Sequence, residues 1–482
     1  MESHESEKTE TSTHNNAEGS THRDAAKKHT KRKLSSVEED DIDNPLPEIC
    51  NEPITPSSSS KEQDYRLRKR RWRKEKEWKE RGHLPDVSTT QKFVVNAQVW
   101  KSSSTITNLG IKLGGYTAKN SRFEHMHEVQ SLEEAMSLGF LLVQSKKLWV
   151  NNSSSLVRKR MINRLNLPTI IYRHQPITDC LGWVIAVLAP SPSDSSYVNS
   201  TKLAYEKMKY EAAHANLNSK ELLDPKRGDF HALNIGLSYG NGHTHPTYSN
   251  GGRYQKIADA LLGDVHIQRL ASYQDCKSRF CDLQYIYSFI FSAIYALWHP
   301  QAYQYYKTNL DKLRETYPHL GSHLFPRSIL PSAAFNLGNR VVTKKHVDAQ
   351  NCPFGWCTIT ALGDFDASKG GHIILWDLGI IVEFPPGACI CLPSALITHS
   401  NIPISNNEVR MSFTQYCSGE IFRYIENGFR TDKQMEKDDP AILLFRKEVR
   451  KTRIEDGYKM FSRMEDLIKS SRGKRMKNWN VS

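Results

Sequence analysis

The 482-residue sequence predicts an α+β fold whose core is a double-sheet jelly roll, or double-stranded β-helix, with supporting helices and a disordered basic N-terminal tail. Three observations predict it. Between residues 335 and 431, short β-branched and aromatic runs are broken by Gly and Pro turns every ten or so residues, the pattern of a closed two-sheet architecture. Upstream, apolar positions recur at helical spacing. The first sixty or so residues have too few large apolar side chains to offset their ordering entropy.

In chain order, residues 1–61 are rich in Ser, Thr, Glu, His and Lys, carry a serine run from Ser57 to Ser60, and are expected to be disordered. Within them Lys27-Lys28-His29-Thr30-Lys31-Arg32-Lys33 resembles a nuclear import signal, a pattern that basic tails also produce by composition alone. Residues 62–84 hold a basic helix from Arg66 to Arg81, stopped by Gly82; Trp72 and Trp78 on it either stack on bases or pin the helix to the core. An accessory region covers 85–164, where Ser131-Leu132-Glu133-Glu134 is a capping box opening a helix to about Val143.

The main domain spans 165–440, with its jelly-roll core at about 335–431. From Thr178 to Leu188 a turn leads into a strand. The stretch from Gly236 to Gly252, which includes His243-Thr244-His245, reads as a flexible surface loop in preference to a metal site. It also lacks the Gly-Lys-Ser/Thr ending of a phosphate-cradling loop. Ile286 to Trp298 reads as a buried helix, and Pro300 to Tyr317 as another with Leu310 and Leu313 turned inward. A basic helical extension follows over 441–482, where Val449, Ile454, Phe461, Met464 and Leu467 can pack on the roll.

The core strands are expected at Trp356 to Thr360, His372 to Trp376, Ile380 to Phe384, Ala388 to Leu392, Ala395 to His399 and Val409 to Tyr416. Gly370-Gly371, Asp377-Leu378-Gly379 and Pro385-Pro386-Gly387 supply the breaks. Ahead of these strands stands His346-Val347-Asp348. In a strand, residues i and i+2 project to one face, so His346 and Asp348 can grip one metal. Early and late strands of a roll lie side by side, which brings His399 to the pair. Two imidazoles and a carboxylate occupy one face of Fe(II) and leave the other open to a co-substrate and O₂.

Eleven residues after His399 comes Arg410, whose planar fork suits a bidentate bond to a carboxylate, and Ser412 shares its face at i+2. His372 opens a strand without a carboxylate at a similar offset and is read as structural.

These residues carry a resemblance. The layout resembles Fe(II)/2-oxoglutarate-dependent dioxygenases, and Phe335 to Thr431 resembles a fungal group within or near the TET/JBP-type nucleic-acid-modifying branch. The matching runs are FNLGNRVVTKKHVDAQNCPFGWCTITALGDF, GGHIILWDLGIIVEFPPGACICLPSALITHSNIP and RMSFTQYCSGEIFRYIENGFRT. About a hundred residues are covered strongly, and Leu165 to Pro331 more loosely. The resemblance implies that His346, Asp348 and His399 bind Fe(II), that Arg410 takes the 5-carboxylate of 2-oxoglutarate with help from Ser412, and that Asn336 contacts the co-substrate. It further implies oxidative decarboxylation of 2-oxoglutarate to succinate, coupled to oxidation of a substrate by O₂. The Cys-rich zinc module of animal TET catalytic domains is absent.

Composition narrows the classes. The net charge of +13 is concentrated in Lys61 to Arg81, with eleven basic and five acidic residues, and in Arg446 to Trp479, with twelve and five. Such stripes are the electrostatic footprint of phosphate binding, so nucleic acid is the expected partner through 61–81 and 446–479. The C-terminal stripe is the less decisive of the two. Nine cysteines without a C-x-x-C pair read as reduced core thiols; Cys276/Cys281 and Cys352/Cys357 are conceivable zinc half-sites with no second pair nearby. No signal peptide or membrane span is visible, and an intracellular, nuclear setting is expected.

Three function classes follow: an iron- and 2-oxoglutarate-dependent oxygenase acting on a 5-methylcytosine- or thymine-like base in nucleic acid, a protein (prolyl-type) hydroxylase with the same iron site, and a catalytically inactive nucleic-acid or chromatin binder. Oligomeric state is not readable from the sequence.

Overall fold

A computed structural model describes residues 93–119, 128–149, 170–275, 294–321 and 324–471, apart from short gaps within them, together with Lys69, Arg73 and Lys76. The tail 1–61 with its Lys27 to Lys33 cluster, the Arg66 to Arg81 helix except those three residues, Cys276, Cys281, the first part of Ile286 to Trp298, and 472–482 lie outside the described residues.

The strands before the core are β1 (Trp100–Lys101), β2 (Leu141–Val143), β3 (Leu148–Trp149), β4 (Ile170–Ile171), β5 (Gln175–Thr178), β6 (Val184–Ala189), β7 (His231–Ser238) and β8 (Thr247–Ser249). The core adds β9 (Ser332–Leu337), β10 (Cys357–Asp364), β11 (Ile373–Leu375), β12 (Ile380–Val382), β13 (Cys389–Leu392), β14 (His399–Asn401) and β15 (Val409–Tyr416). A nine-stranded sheet runs β1-β5-β6-β13-β10-β15-β9-β7-β8, and a four-stranded sheet runs β14-β11-β12-β2. From β10 onward the chain alternates between them: β10, β13 and β15 pair antiparallel in the large sheet, β11, β12 and β14 antiparallel in the small one.

Alternation along each strand explains how both faces of the small sheet are covered. Ile373, Leu375, Ile380 and Val382 join the main core, while Ile374 and Ile381 pack with Val129, Ala135 and Ile402 in a second cluster beneath helix α1 (Leu132–Ser137). Each buried Ile, Leu and Val side chain of the sheet contributes about 1.5–3 kcal/mol of transfer free energy. In the large sheet, Phe413 stacks on Phe335 at 5.3 Å and meets Phe325 edge-on at 5.6 Å. Helices α2 (Ser195–His214), α3 (Gln255–Leu262) and α4 (Val265–Asp275) follow in sequence, and α2 and α4 pack on β10.

Gln274 of α4 links three polar side chains on that face: it donates to Thr360 Oγ1 (2.7 Å) and accepts from Thr358 Oγ1 (2.8 Å) and Gln415 Nε2 (2.5 Å). The buried helix α5 (Ile294–Trp298) and the amphipathic α6 (Pro300–Thr316) come next; Leu310 and Leu313 of α6 are fully buried. The chain closes with α7 (Gly419–Glu426), α8 (Asp432–Asp438), α9 (Pro440–Val449), α10 (Arg453–Met460) and α11 (Met464–Ser471).

The site depends on one irregular segment. Residues 340–348 leave the large sheet, where Val341 N–H donates to Arg410 O (2.9 Å), and reach the small one, where His346 and His399 exchange backbone hydrogen bonds of 3.1 and 2.9 Å. They thereby tie β15 to β14.

Five local expectations need correction. The helix opened by Ser131 ends at Ser137, because Gly139 takes φ 78° and Leu141–Val143 instead pairs in parallel with β12. Its capping is also only half a box: Glu134 N–H donates to Ser131 Oγ, but Glu134 Oε2 accepts from Gln130 N–H. Ala395 to His399 is no strand; Leu396 and Ile397 donate back to Pro393 O in a turn, and β14 begins at His399. His346 and Asp348 sit in a single β-bridge and the loop after it. The surface loop at Gly236 to Gly252 includes β8, which pairs with β7.

Candidate metal centre

His346, Asp348 and His399 converge: one ligand atom from each lies within 4.8 Å of the others, and among the described residues this is the single such group of His, Cys, Asp or Glu. The fold sets both imidazoles the same way. His346 Nδ1 lies 2.6 Å from Lys344 O and His399 Nδ1 lies 2.8 Å from Ile397 O, so each Nδ1 carries the proton and donates it. Each Nε2 therefore presents a lone pair, and His346 Nε2 is buried without any hydrogen-bond partner. Burial, then the neighbouring His399 and Arg227, pushes His346 down to about 3, and burial likewise lowers His399. Both rings stay neutral, as metal ligands must be.

Asp348 follows the opposite logic. Burial, the largest single influence, would raise its carboxyl, but Arg227, His346, His399 and a hydrogen bond from Ser394 together outweigh it and hold the group at about 2. Its Oδ1 is 3.8 Å from His346 Nε2 and its Oδ2 is 4.0 Å from His399 Nε2. Asp348 N–H donates to Ser394 O at 2.8 Å, so a loop contact, not a strand, fixes its backbone. Two neutral nitrogen donors and one anionic oxygen, with an orphaned buried Nε2 among them, fit a divalent iron with open positions.

Arg410 is 1% exposed, among the largest fully buried side chains of the described residues. Its Nη1 donates to Val341 O (2.8 Å), its Nε has no partner, and among the described residues no carboxylate pairs with it. Burial pulls its pKa down to about 10. A buried guanidinium in this state can take an anion in charge-assisted bonds. Opposite it on β10 stands Gly363 at φ 126°, where a Cβ would lie 2.1 Å from Val409 O, so only glycine lets the two strands close at Arg410.

Ser412 pairs in register with Asn336 of β9, whose Nδ2 donates to Ser412 Oγ at 2.9 Å. That leaves the serine proton free to turn elsewhere, and Asn336 Oδ1 buried and unpartnered. All six residues proposed from the sequence are thus buried or half-buried, on β9, β14, β15 and the 340–348 segment.

One residue of the site was missed. Arg227 Nη2 contacts Asp348 Oδ1 at 2.9 Å, a pairing between distant parts of the chain for which no local motif exists. The rivals stay out: His372 is buried away from the group, and His243 and His245 are exposed. Of the described cysteines, Cys352, Cys357, Cys389, Cys391 and Cys417 are buried free thiols and Cys180 a half-buried one.

The C-terminal basic stripe is largely engaged within the fold. Arg450 pairs with Asp432 (3.0 Å), Arg453 with Glu426 (2.7 Å), and Lys451, Lys459 and Lys469 with acidic neighbours on their own helices or the adjoining turn. Arg463 lies over Trp183. Among the described residues, no helix is long and apolar enough to cross a membrane.

No protein-family model and no curated protein matches the chain. Among solved structures, it is similar to NgTET1 in complex with 5mC DNA, at 15% identity over 58% of this chain and 82% of that one, with a TM-score of 0.30. It is also similar to an oxidoreductase of the 2OG-Fe(II) oxygenase family from Burkholderia pseudomallei, at 15% identity over 58% and 95% of the two chains and a TM-score of 0.26. A third likeness is the viral collagen prolyl hydroxylase vCPH from Paramecium Bursaria Chlorella virus-1 in its 2OG complex, at 9% identity, 45% and 89% coverage and a TM-score of 0.21. Likeness at this level carries no functional argument, so the functional reading rests on the site's own residues.

Proposed function

We propose that the chain is an Fe(II)- and 2-oxoglutarate-dependent dioxygenase on a jelly-roll core, and that it oxidises a 5-methylcytosine- or thymine-like base in nucleic acid. One observation carries the chemistry: the short segment 340–348 joins a metal-ligand triad at one end to a buried, acid-free Arg410 at the other. Bound iron, with 2-oxoglutarate and O₂, supplies oxidation of a substrate C–H bond coupled to release of CO₂ and succinate.

The chain's own residues do the rest. Lys344 O and Ile397 O hold His346 and His399 with Nε2 toward the metal. Asp348 brings a fixed negative charge. Arg410 takes the distal carboxylate of the co-substrate in charge-assisted bonds, and Ser412, its oxygen already engaged by Asn336, turns its proton to the same carboxylate.

The nucleic-acid reading draws its support from the basic segment 61–81, since most described cations of the C-terminal stripe have partners within the fold. A base must leave the stack to reach a buried metal, which single-stranded or damaged positions make easier. The Lys27 to Lys33 cluster supports a nuclear setting.

The test is anaerobic loading with Fe(II), then exposure to O₂ and 2-oxoglutarate with succinate measured across a panel of methylated DNA, RNA and peptides. An oxidised base found by mass spectrometry supports the reading in full. Succinate stimulated only by peptides replaces it with a protein hydroxylase, and complete absence of succinate from metal-loaded protein leaves a non-enzymatic binder.

A further inference from the structure

We infer that Arg227 is the positioning residue of this metal centre, holding both members of the His346-Asp348 pair in place before metal arrives. The inference rests on the metal reading above and adds to it a residue outside the ligand set.

Its side chain acts on Asp348. Neutral imidazoles turn two Nε2 lone pairs toward the carboxylate oxygens, at 3.8 and 4.0 Å, an arrangement that is repulsive without a cation between them. Arg227 Nη2, 2.9 Å from Oδ1, supplies a cation that offsets that repulsion. An exposed ion pair would contribute at most about 1 kcal/mol. Here the Asp348 side chain is only 16% exposed, so pairing matters more than at the surface.

The backbone of Arg227 acts on His346. Its carbonyl accepts from Lys344 N–H at 2.8 Å, and Lys344 O is the acceptor that fixes the His346 Nδ1 proton at 2.6 Å. The next residue, Gly228, lies so close to the segment that a Cβ would sit 2.3 Å from Val342 O. The Arg227-Gly228 turn is therefore fitted against residues 342–344, and one residue braces a histidine through the main chain and the aspartate through its side chain. Partners of this kind orient ligands, and their removal typically lowers metal affinity by about 10–100-fold.

The experiment uses the full chain and Co(II), whose affinity is read by competition with a chromophoric chelator and whose ligand geometry is read from its visible absorption. Arg227→Met is expected to weaken Co(II) about 10–100-fold and to shift the visible bands. Arg227→Lys, which restores a cation, is expected to recover part of both. Should Arg227→Met fail to fold by circular dichroism, Arg227→Gln replaces it, keeping a donor without the charge, with weaker binding again expected. Asp348→Ala is the control for the metal reading. Wild-type affinity and spectrum in Arg227→Met or Arg227→Gln, with loss in Asp348→Ala, overturns the role of Arg227 and keeps the metal centre. Retention in Asp348→Ala overturns the metal centre itself.

Discussion

Replacing Arg410 by methionine separates a residue kept for stability from one kept for a ligand. In the absence of co-substrate the guanidinium is a buried charge with a single described hydrogen bond, to Val341 O, and a pKa pulled down to about 10 from an ordinary 12.5. At 1.36 kcal/mol per pH unit this corresponds to about 3 kcal/mol of unfavourable burial. Methionine has similar length and no charge. Against the gain stands the bond to Val341, which contributes about 1 kcal/mol. The ligand-free variant is therefore expected to be more stable than the wild type by about 1–2 kcal/mol, as seen when buried charges are exchanged for apolar side chains.

With 2-oxoglutarate and a redox-inert divalent metal the order reverses. Two charge-assisted bonds at about 1.5–3 kcal/mol each make the wild type's affinity about 10²–10⁴-fold higher than the variant's. The assay is denaturant unfolding of both proteins with and without the co-substrate, alongside direct binding by calorimetry. Arg410 is not the carboxylate site if the ligand-free variant loses several kcal/mol and 2-oxoglutarate still stabilises it as much as the wild type.

Two further outcomes test the scaffold. His299 is fully buried, stacks on Phe461 at 4.8 Å, and is pushed down to about 4 by burial. The unfolded chain thus binds the extra proton between about pH 6.5 and 4, and stability falls as pH drops through that window, by about 3 kcal/mol for this residue. His299→Phe should flatten the pH dependence of unfolding by one proton there, and an unchanged slope would count against it. Gln274→Leu removes the shared partner of Thr358, Thr360 and Gln415, so a loss of about 3–5 kcal/mol is expected in denaturant unfolding; a change under about 1 kcal/mol would show that these groups re-pair.

Where local pattern and tertiary demand coincide, the sequence was legible. Val409 to Tyr416 was read with the same ends the structure shows, because it is long, β-rich and bounded on both sides. Ala395 to Ile397 failed for the complementary reason. Its three apolar residues are buried whether they form a strand or wrap a turn, and so short a run has no period to tell the two apart. The stop at Ser137 turned on Gly139 and on a parallel partner, β12, that no reading of residues 131–143 contains.

The same division runs through the site. His346, Asp348, His399 and Arg410 carry their proposed chemistry in residue type and offset, and the structure brings the first three together. Arg227 and Gln274 cannot be named that way, because their roles exist only where segments distant in sequence meet: one at the loop that braces His346 and Asp348, the other between α4 and the outer face of β10 and β15. Both satisfy buried polar groups that would otherwise be costly. On the proposed reading, the His-Asp-His group determines which metal chemistry is open to the chain, while these long-range polar contacts determine whether that group is held still enough to use it.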